Sequence, residues 1–334
     1  MADTQFDVLT IGNAIVDVIA PVEPDFLARE GLDEGIMHLV DAARSAYLYE
    51  RMPAIKRQIS GGSSANTAAG VASFGGRASF VGKVAADPLG SIFADDLHML
   101  GVHYGVARLS EGPATARCMI LVSPGGERTM NTYLGACQQL TMADIRESEI
   151  GAAAVTYMEG YLWDPPEAKK AFVLAAQYAH KHERPTAITL SDPFCVNRFR
   201  DEFLDLMRSK TIDYVFANIE EAKALYQTDS LHEAVQQLAG DCELAAVTMG
   251  PAGAMAIRDG EVVTVPAFPV PHVVDATGAG DLFASGFLLA LARERDLRTA
   301  LAAGCLAASE VISHIGARPL RDLGQLAREH RLGV

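Results

Sequence analysis

Asp275-Ala-Thr-Gly-Ala-Gly-Asp281 follows the β-rich run Val262 to Val274 and precedes Leu282 to Ala292, whose apolar residues recur with helical periodicity. The segment therefore predicts a strand, a glycine turn and a helix start. Gly278 and Gly280 let the backbone turn tightly and approach a ligand, so the N–H groups of residues 278 to 281 can converge on an anion at the positive end of the helix. Asp281, in the first helical turn, stands where it can take a proton from an attacking hydroxyl while those amides hold phosphoryl oxygens. An N-capping aspartate after an ordinary turn would look similar. Here two aspartates bracket the turn between a strand and a long apolar helix, which is the context that phosphate chemistry requires.

Working outward, short apolar runs alternate with helix-like segments. Phe6 to Ile11, Ser79 to Val81, Val155 to Met158, Ala187 to Leu190, Tyr214 to Ala217 and Leu244 to Thr248 read as buried strands; Asn66 to Phe74, Ile92 to Leu100, Pro166 to His182 and Leu231 to Leu238 read as helices. The alternation predicts an α/β fold with a central, mostly parallel sheet flanked by helices. Two stretches interrupt it, Pro21 to Ser60 and Tyr104 to Tyr133, the second carrying a strand Cys118 to Val122 and the turn Ser123-Pro-Gly-Gly126. They are expected to meet as a small β-rich lid. This divides the chain into a large α/β domain (1–15, 61–112 and 135–334) and a lid (16–60 and 113–134).

The 334 residues are 49% apolar and 21% charged, with a formal net charge of -14. That balance suits a soluble globular protein and opposes nucleic acid or an anionic membrane surface as partner. Five cysteines with no C-x-x-C pair, and two acidic residues but no basic one before the first apolar run, point to free thiols and a cytoplasmic setting. Because the global field repels anions, a phosphate ligand needs a local cradle of amides, metal and a few basic groups.

The stretch Asp275 to Asp281 resembles the D-[TA]-x-G-A-G-D signature of the ribokinase-like (PfkB) carbohydrate kinases, and the resemblance runs over nearly the whole chain. A diglycine motif, an N-x-x-E and a T-x-G occur in the family's order. It implies a ribokinase-like fold, ATP and Mg²⁺ as partners in phosphoryl transfer, Asp281 as catalytic base, and Gly278, Ala279 and Gly280 as the anion hole. Ala276 stands where Thr is common.

On the substrate side, Gly12-Asn13-Ala-Ile-Val-Asp17 follows the first strand, so Asn13 and Asp17 lie at its carboxyl end, where open α/β sheets bind ligands. An amide and a carboxylate can chelate vicinal hydroxyls; a turn cap and a solvated strand residue would read the same way. The spacing is similar to that of the adenosine kinase branch of the family, which implies a ribose-holding role for Asp17. Gly61-Gly62-Ser63 resembles the diglycine lid hinge, with Asn66 facing the sugar. Arg128 lies where the family's lid returns to the active site and would neutralise phosphoryl charge; a surface arginine beside a turn fits equally well. Tyr161, after the strand Val155 to Met158, resembles a purine-stacking residue, or covers the core rim.

On the nucleotide side, Asn218 and Glu221 match N-x-x-E, which implies ATP contact and a carboxylate organising Mg²⁺ through water; alone they read as a capped helix. Thr248-Met-Gly250, with Gly253 continuing the turn, resembles the T-x-G at the nucleotide phosphates. The family also implies a monovalent cation, K⁺, near Asp275 and Thr277, closed by the loop 313–316. The expected reaction is phosphorylation of a nucleoside 5′-hydroxyl, adenosine to AMP, with a sugar kinase acting on ribose, fructose or a keto-deoxy sugar acid as the alternative. A silent nucleotide sensor would not need Asp281, and a nicotinamide-dependent dehydrogenase lacks its G-x-G-x-x-G after the first strand. A monomer or a homodimer paired through lids is expected.

Overall fold

The computed structural model describes residues 4–53 and 57–334. Among the described residues fourteen strands form two sheets. The larger contains β1 (Phe6–Ile11), β5 (Ala78–Val81), β6 (His103–Tyr104), β9 (Ala153–Glu159), β10 (Thr186–Thr189), β11 (Tyr214–Asn218), β12 (Leu244–Thr248), β13 (Ala254–Arg258) and β14 (Glu261–Val265). Their order is β14-β13-β12-β11-β10-β9-β1-β5-β6, parallel from β12 to β6 and antiparallel at the β12-β13-β14 end. All six residues of β1 and all four of β5 are buried, as expected for strands covered on both faces. The chain runs from β1 to β5 on one side and returns to β9 on the other. The crevice beyond the carboxyl end of β1 is therefore a topological switch point, where such sheets bind ligands.

Among the described residues twelve α-helices accompany the strands: α1 (Pro24–Glu30), α2 (Ala42–Arg51), α3 (Ser63–Ser73), α4 (Pro88–Met99), α5 (Glu147–Ile150), α6 (Pro166–Lys181), α7 (Pro193–Arg208), α8 (Ile219–Tyr226), α9 (Leu231–Asp241), α10 (Ala279–Ala292), α11 (Leu297–Val311) and α12 (Leu323–Glu329). Helix α10 is apolar all round, with Leu282 to Ala290 buried, because it packs between the sheet, α3 and α11. Small residues make this close approach feasible: a Cβ on Gly70 of α3 would meet the Ser285 side chain of α10 at 2.3 Å. Among the described residues no helix is long and apolar enough to cross a membrane.

The smaller sheet has the order β3-β8-β7-β2-β4, from β2 (Ile15–Pro21), β3 (Met37–Leu39), β4 (Arg57–Gly61), β7 (Ala116–Val122) and β8 (Arg128–Tyr133). Strand periodicity divides its residues between two faces. Val16, Val18, Met119 and Leu121 are buried on one face, where α4 and α2 lie against strands of this sheet. Ile15, Asp17, Cys118, Ile120, Arg128, Met130 and Thr132 line a cleft on the other.

Three expectations need correction. The β-rich run reaches only Val265; 266–278 carries no strand, because Pro266, Pro269 and Pro271 cannot donate to a ladder. The helix expected from Ile92 starts at Pro88, where Asp87 caps it by accepting the Gly90 N–H at 2.8 Å. The excursion Pro21 to Ser60 contains two helices as well as strands; α2 is capped by Asp41, which accepts from the Arg44 N–H.

Candidate active site

Helix α10 begins at the glycine turn. Gly278 takes φ +82°, and a Cβ there would lie 2.7 Å from the Ala317 Cβ, so both conformation and space demand glycine. A Cβ on Gly280 would meet nothing within 4 Å, which leaves the backbone open to a ligand. Ala279 N–H donates to Ala276 O and Leu282 N–H to Gly278 O, so the amides of Gly280 and Asp281 have no backbone acceptor among the described residues. This is an anion cradle at a helix N-terminus.

Asp281 sits in that first turn. Its Oδ1 accepts the Ser63 hydroxyl at 2.5 Å and its Oδ2 accepts Asn66 Nδ2 at 2.8 Å, both from α3. Burial pushes its carboxyl up from the ordinary value, more than Ser63, Asn66 and Arg318 pull it down. The result is a held but basic carboxylate, suited to accept a proton. Asn66 thus serves Asp281 as well as the cleft, and its Oδ1 is buried without a partner among the described residues, available to a donor.

Asp17 lies across the cleft on β2, beside Gly61. A Cβ on Gly61 would approach the Asp17 carboxyl to 2.6 Å, and one on Gly62, at φ +94°, would strike Asn13 O at 2.1 Å. Gly62 is therefore a steric requirement at the junction of the two sheets, whereas a side chain at Gly61 would displace the Asp17 carboxyl. Burial raises Asp17 to about 6, against the pull of Arg318 and Arg128. Asn13 does not join it: its Nδ2 donates to Glu159 Oε1 at 2.7 Å and it is 4% exposed, because a buried carboxylate claims the amide first. Of the expected hydroxyl-chelating pair, Asp17 lines the cleft while Asn13 Nδ2 is turned to Glu159.

Two cavities meet at the glycine turn. One, of about 570 Å³, is lined by Asp17, Ser63, Asn66, Tyr161, Asn218, Glu221 and Asp281, with the cleft face of the smaller sheet. Tyr161 is 45% exposed there, its N–H donating to Ser191 Oγ at 3.0 Å and its hydroxyl to Ser191 O at 3.2 Å. The other, of about 720 Å³, is apolar, with Phe268, Val273, Phe283 and Ile312 in its wall. Thr248, Gly250, Ala276, Ala279 and Gly280 line both, whereas Gly253 lines only the second.

Asn218 and Glu221 form a capping box: Glu221 N–H donates to Asn218 Oδ1 at 2.8 Å and Asn218 N–H to Glu221 Oε2 at 3.0 Å. Burial raises Glu221 to about 7, with Asp192 adding to the rise. Glu221 faces the same cleft as Asp281 and is a carboxylate that would suit an Mg²⁺ held through water and substrate phosphates. The monovalent cation expected at Asp275 and Thr277 does not fit. Asp275 is surrounded by donors: Arg128 Nη1, the Thr277 N–H and hydroxyl at 3.0 and 2.6 Å, and the Gly316 N–H at 2.9 Å. A cation needs oxygen acceptors turned toward it. Arg128, at the start of β8, is thereby paired with Asp275 rather than free in the cleft.

Sequence reading missed three contributors. Glu159 ends β9 as a carboxylate at the carboxyl end of a buried strand, the same signal that drew attention to Asp17. Arg318 is half-buried and clamps the junction, Nη1 donating to Ala65 O at 2.5 Å and Nη2 to Ser60 O at 2.9 Å; only its distant neighbours reveal this. The apolar cavity wall comes from an irregular, proline-rich segment without periodicity.

A profile of the pfkB family carbohydrate kinases matches residues 50–322. The adenosine kinase of Saccharomyces cerevisiae is 28% identical over 331 residues, covering 92% of this chain and 95% of that one. The structure of adenosine kinase from Sinorhizobium meliloti superposes with a TM-score of 0.90 at 52% identity, covering 98% and 99% of the two chains. That of a probable sugar kinase from Rhizobium etli gives 0.91 at 51%, with the same coverage. With its ribokinase-like fold, the chain belongs to the pfkB family of carbohydrate kinases and is an ATP-dependent kinase.

Proposed function

We propose that this kinase phosphorylates the 5′-hydroxyl of a nucleoside, adenosine foremost. The observation that carries the reading is the character of the first cavity. A carboxylate for vicinal hydroxyls, Asp17, stands on the same strand face as Ile15, and Ile120 and Met130 continue an apolar wall. Tyr161 and Phe216 supply aromatic surface from the larger sheet. A free sugar offers nothing flat and apolar to such walls, whereas a purine does.

In this reading Asp17 holds the ribose hydroxyls, Asn66 Oδ1 accepts one more, and Asp281 takes the proton of the attacking hydroxyl. The open amides at Gly280 and Asp281 hold the transferring phosphoryl group, with Gly278 and Ala279 shaping the turn. The apolar cavity takes the base of ATP, with Thr248, Gly250, Gly253 and Asn218 along its phosphates. Mg²⁺, when bound, neutralises phosphate charge, and Glu221 is the residue that would orient it through water. Arg128 has to leave Asp275 to reach the phosphoryl group. A sugar kinase is the second reading, favoured by the name of the Rhizobium etli relative. Initial rates with ATP and adenosine, inosine, ribose or fructose separate them. Adenosine is expected to have the highest kcat/KM, and a higher value for either free sugar would overturn the nucleoside assignment.

A further inference from the structure

Glu159 is 2% exposed and lies behind the cleft rather than in it. Its Oε2 accepts the Ser64 N–H at 3.0 Å and the Asn13 N–H at 3.3 Å, and its Oε1 accepts Asn13 Nδ2 at 2.7 Å. Ser64 belongs to the first turn of α3. The N-cap of that helix is Gly62, which has no side chain to satisfy the first amides. Glu159 supplies the missing cap from a strand 95 residues away, and a carboxylate is the best acceptor for a helix N-terminus. The surrounding chain makes room for it: a Cβ on Gly12 would lie 2.3 Å from Glu159 Oε2.

The same turn of α3 carries Ser63 and Asn66, the two residues that grip Asp281. We infer that Glu159 is a positioning residue for phosphoryl transfer, capping α3 across the sheet so that Ser63 and Asn66 hold the Asp281 carboxylate at the anion cradle. It also fixes Asn13, whose carbonyl oxygen lies where a Cβ of the hinge residue Gly62 would be. The groups that sense its charge are Asp281, Tyr157, Tyr161, Cys137 and Cys195, none of them cationic. Burial accordingly pushes Glu159 up to about 7. Its place is secured by N–H donors, not by an ion pair.

The inference rests on Asp281 as the base, and the test separates the two. Steady-state kinetics with adenosine and ATP are measured for wild type, Glu159→Gln, Glu159→Asp, Glu159→Ala, Asp281→Asn and the Asp281→Asn/Glu159→Ala double variant, with rates referred to folded protein. Glutamine keeps an acceptor for both backbone N–H groups and can donate to a flipped Asn13 amide, so its kcat stays within about threefold of wild type. Alanine loses the cap, and aspartate cannot reach it; kcat falls by about 30-fold for alanine and less for aspartate, while KM for ATP holds, as a small misplacement of a reacting group implies. In the Asp281→Asn background the alanine change produces no further loss, because Glu159 acts through Asp281. If Glu159→Ala does not fold, the ranking of glutamine above aspartate decides. Wild-type kcat in both the alanine and aspartate variants, or an equal loss in both backgrounds, overturns the positioning role alone. Full activity of Asp281→Asn overturns the catalytic reading and this inference with it.

Discussion

Asp275 and Asp281 close the same glycine turn from opposite ends, in opposite surroundings. At Asp275 burial raises the carboxyl, but the Thr277 hydroxyl, the Gly316 and Thr277 amides and the Arg128 guanidinium outweigh it, and the group is held below the ordinary range. At Asp281 burial wins over Ser63, Asn66 and Arg318, and the group is raised. Residue type and local motif are shared; the neighbours differ. Donors with a directly paired cation turn one aspartate into an anchor, and neutral donors leave the other basic. The comparison breaks most visibly at Asp281. Asp281→Asn should lower kcat by about 10³-fold, the range of a lost general base, with nucleotide binding retained. Single-turnover rates alongside equilibrium nucleotide binding measure this; an unchanged rate would mean that neither end of the turn acts as a base.

Asp275→Asn tests the anchor. The Arg128–Asp275 pair, made through Nη1, joins β8 of the smaller sheet to the turn, both side chains being largely buried, and Arg128 Nε has no partner among the described residues. Neutralising Asp275 should free Arg128 and loosen the two sheets at the cleft. KM for the acceptor is expected to rise about tenfold, equivalent to ~1.4 kcal/mol, with kcat changed less than in Asp281→Asn. A kcat loss as deep as that of Asp281→Asn, with KM unmoved, would make the two aspartates equivalent and remove the distinction. Ser63→Ala sharpens it in finer steps. Removing a donor that lowers the Asp281 carboxyl must raise it further, so the acidic limb of the kcat profile should move to higher pH. A limb that stays in place, or moves down, would show that Ser63 does not hold the base.

The turn itself was readable from residues 275 to 281, because glycine conformations and helix-end amides are properties of contiguous chain. The alternation of apolar runs likewise specified six strands of the larger sheet, β1, β5 and β9 to β12, which are almost wholly buried, but not the edge strand β6 or the antiparallel β13. What could not be read were the pairings across it. Asn13 looked like a ligand group until its partner, Glu159, 146 residues on, was seen to occupy its amide. Arg128 was expected where the lid returns to the active site; its pairing with Asp275, 147 residues away, is a tertiary fact. The strand wrongly extended beyond Val265 is a different kind of miss. Val270, Val273 and Val274 favour extended chain, but Pro266, Pro269 and Pro271 lack the N–H donors a ladder needs, and the prolines prevail.

The smallest effect distinguishes raised from lowered carboxylates across the whole cleft. Asp17, Glu159 and Glu221 are all raised by burial, to about 6, 7 and 7. In the unfolded chain such groups titrate at about 4. Between those values the folded state binds more protons than the unfolded one, so the stability they contribute is complete below about pH 4 and is lost as pH rises through 6 to 7. Asp275 has the reverse sign, but its transition lies below about pH 4 and does not intrude. Thermal melting should therefore show Tm rising by about 3 °C as pH falls from 7.5 to 5.5. Glu221→Gln, which removes one raised group while keeping an acceptor for the capping box, should flatten that slope without shifting its sign. A Tm that falls steadily over the same interval would mean these carboxylates are solvated in the folded enzyme, and that the cleft is more open than its contacts describe.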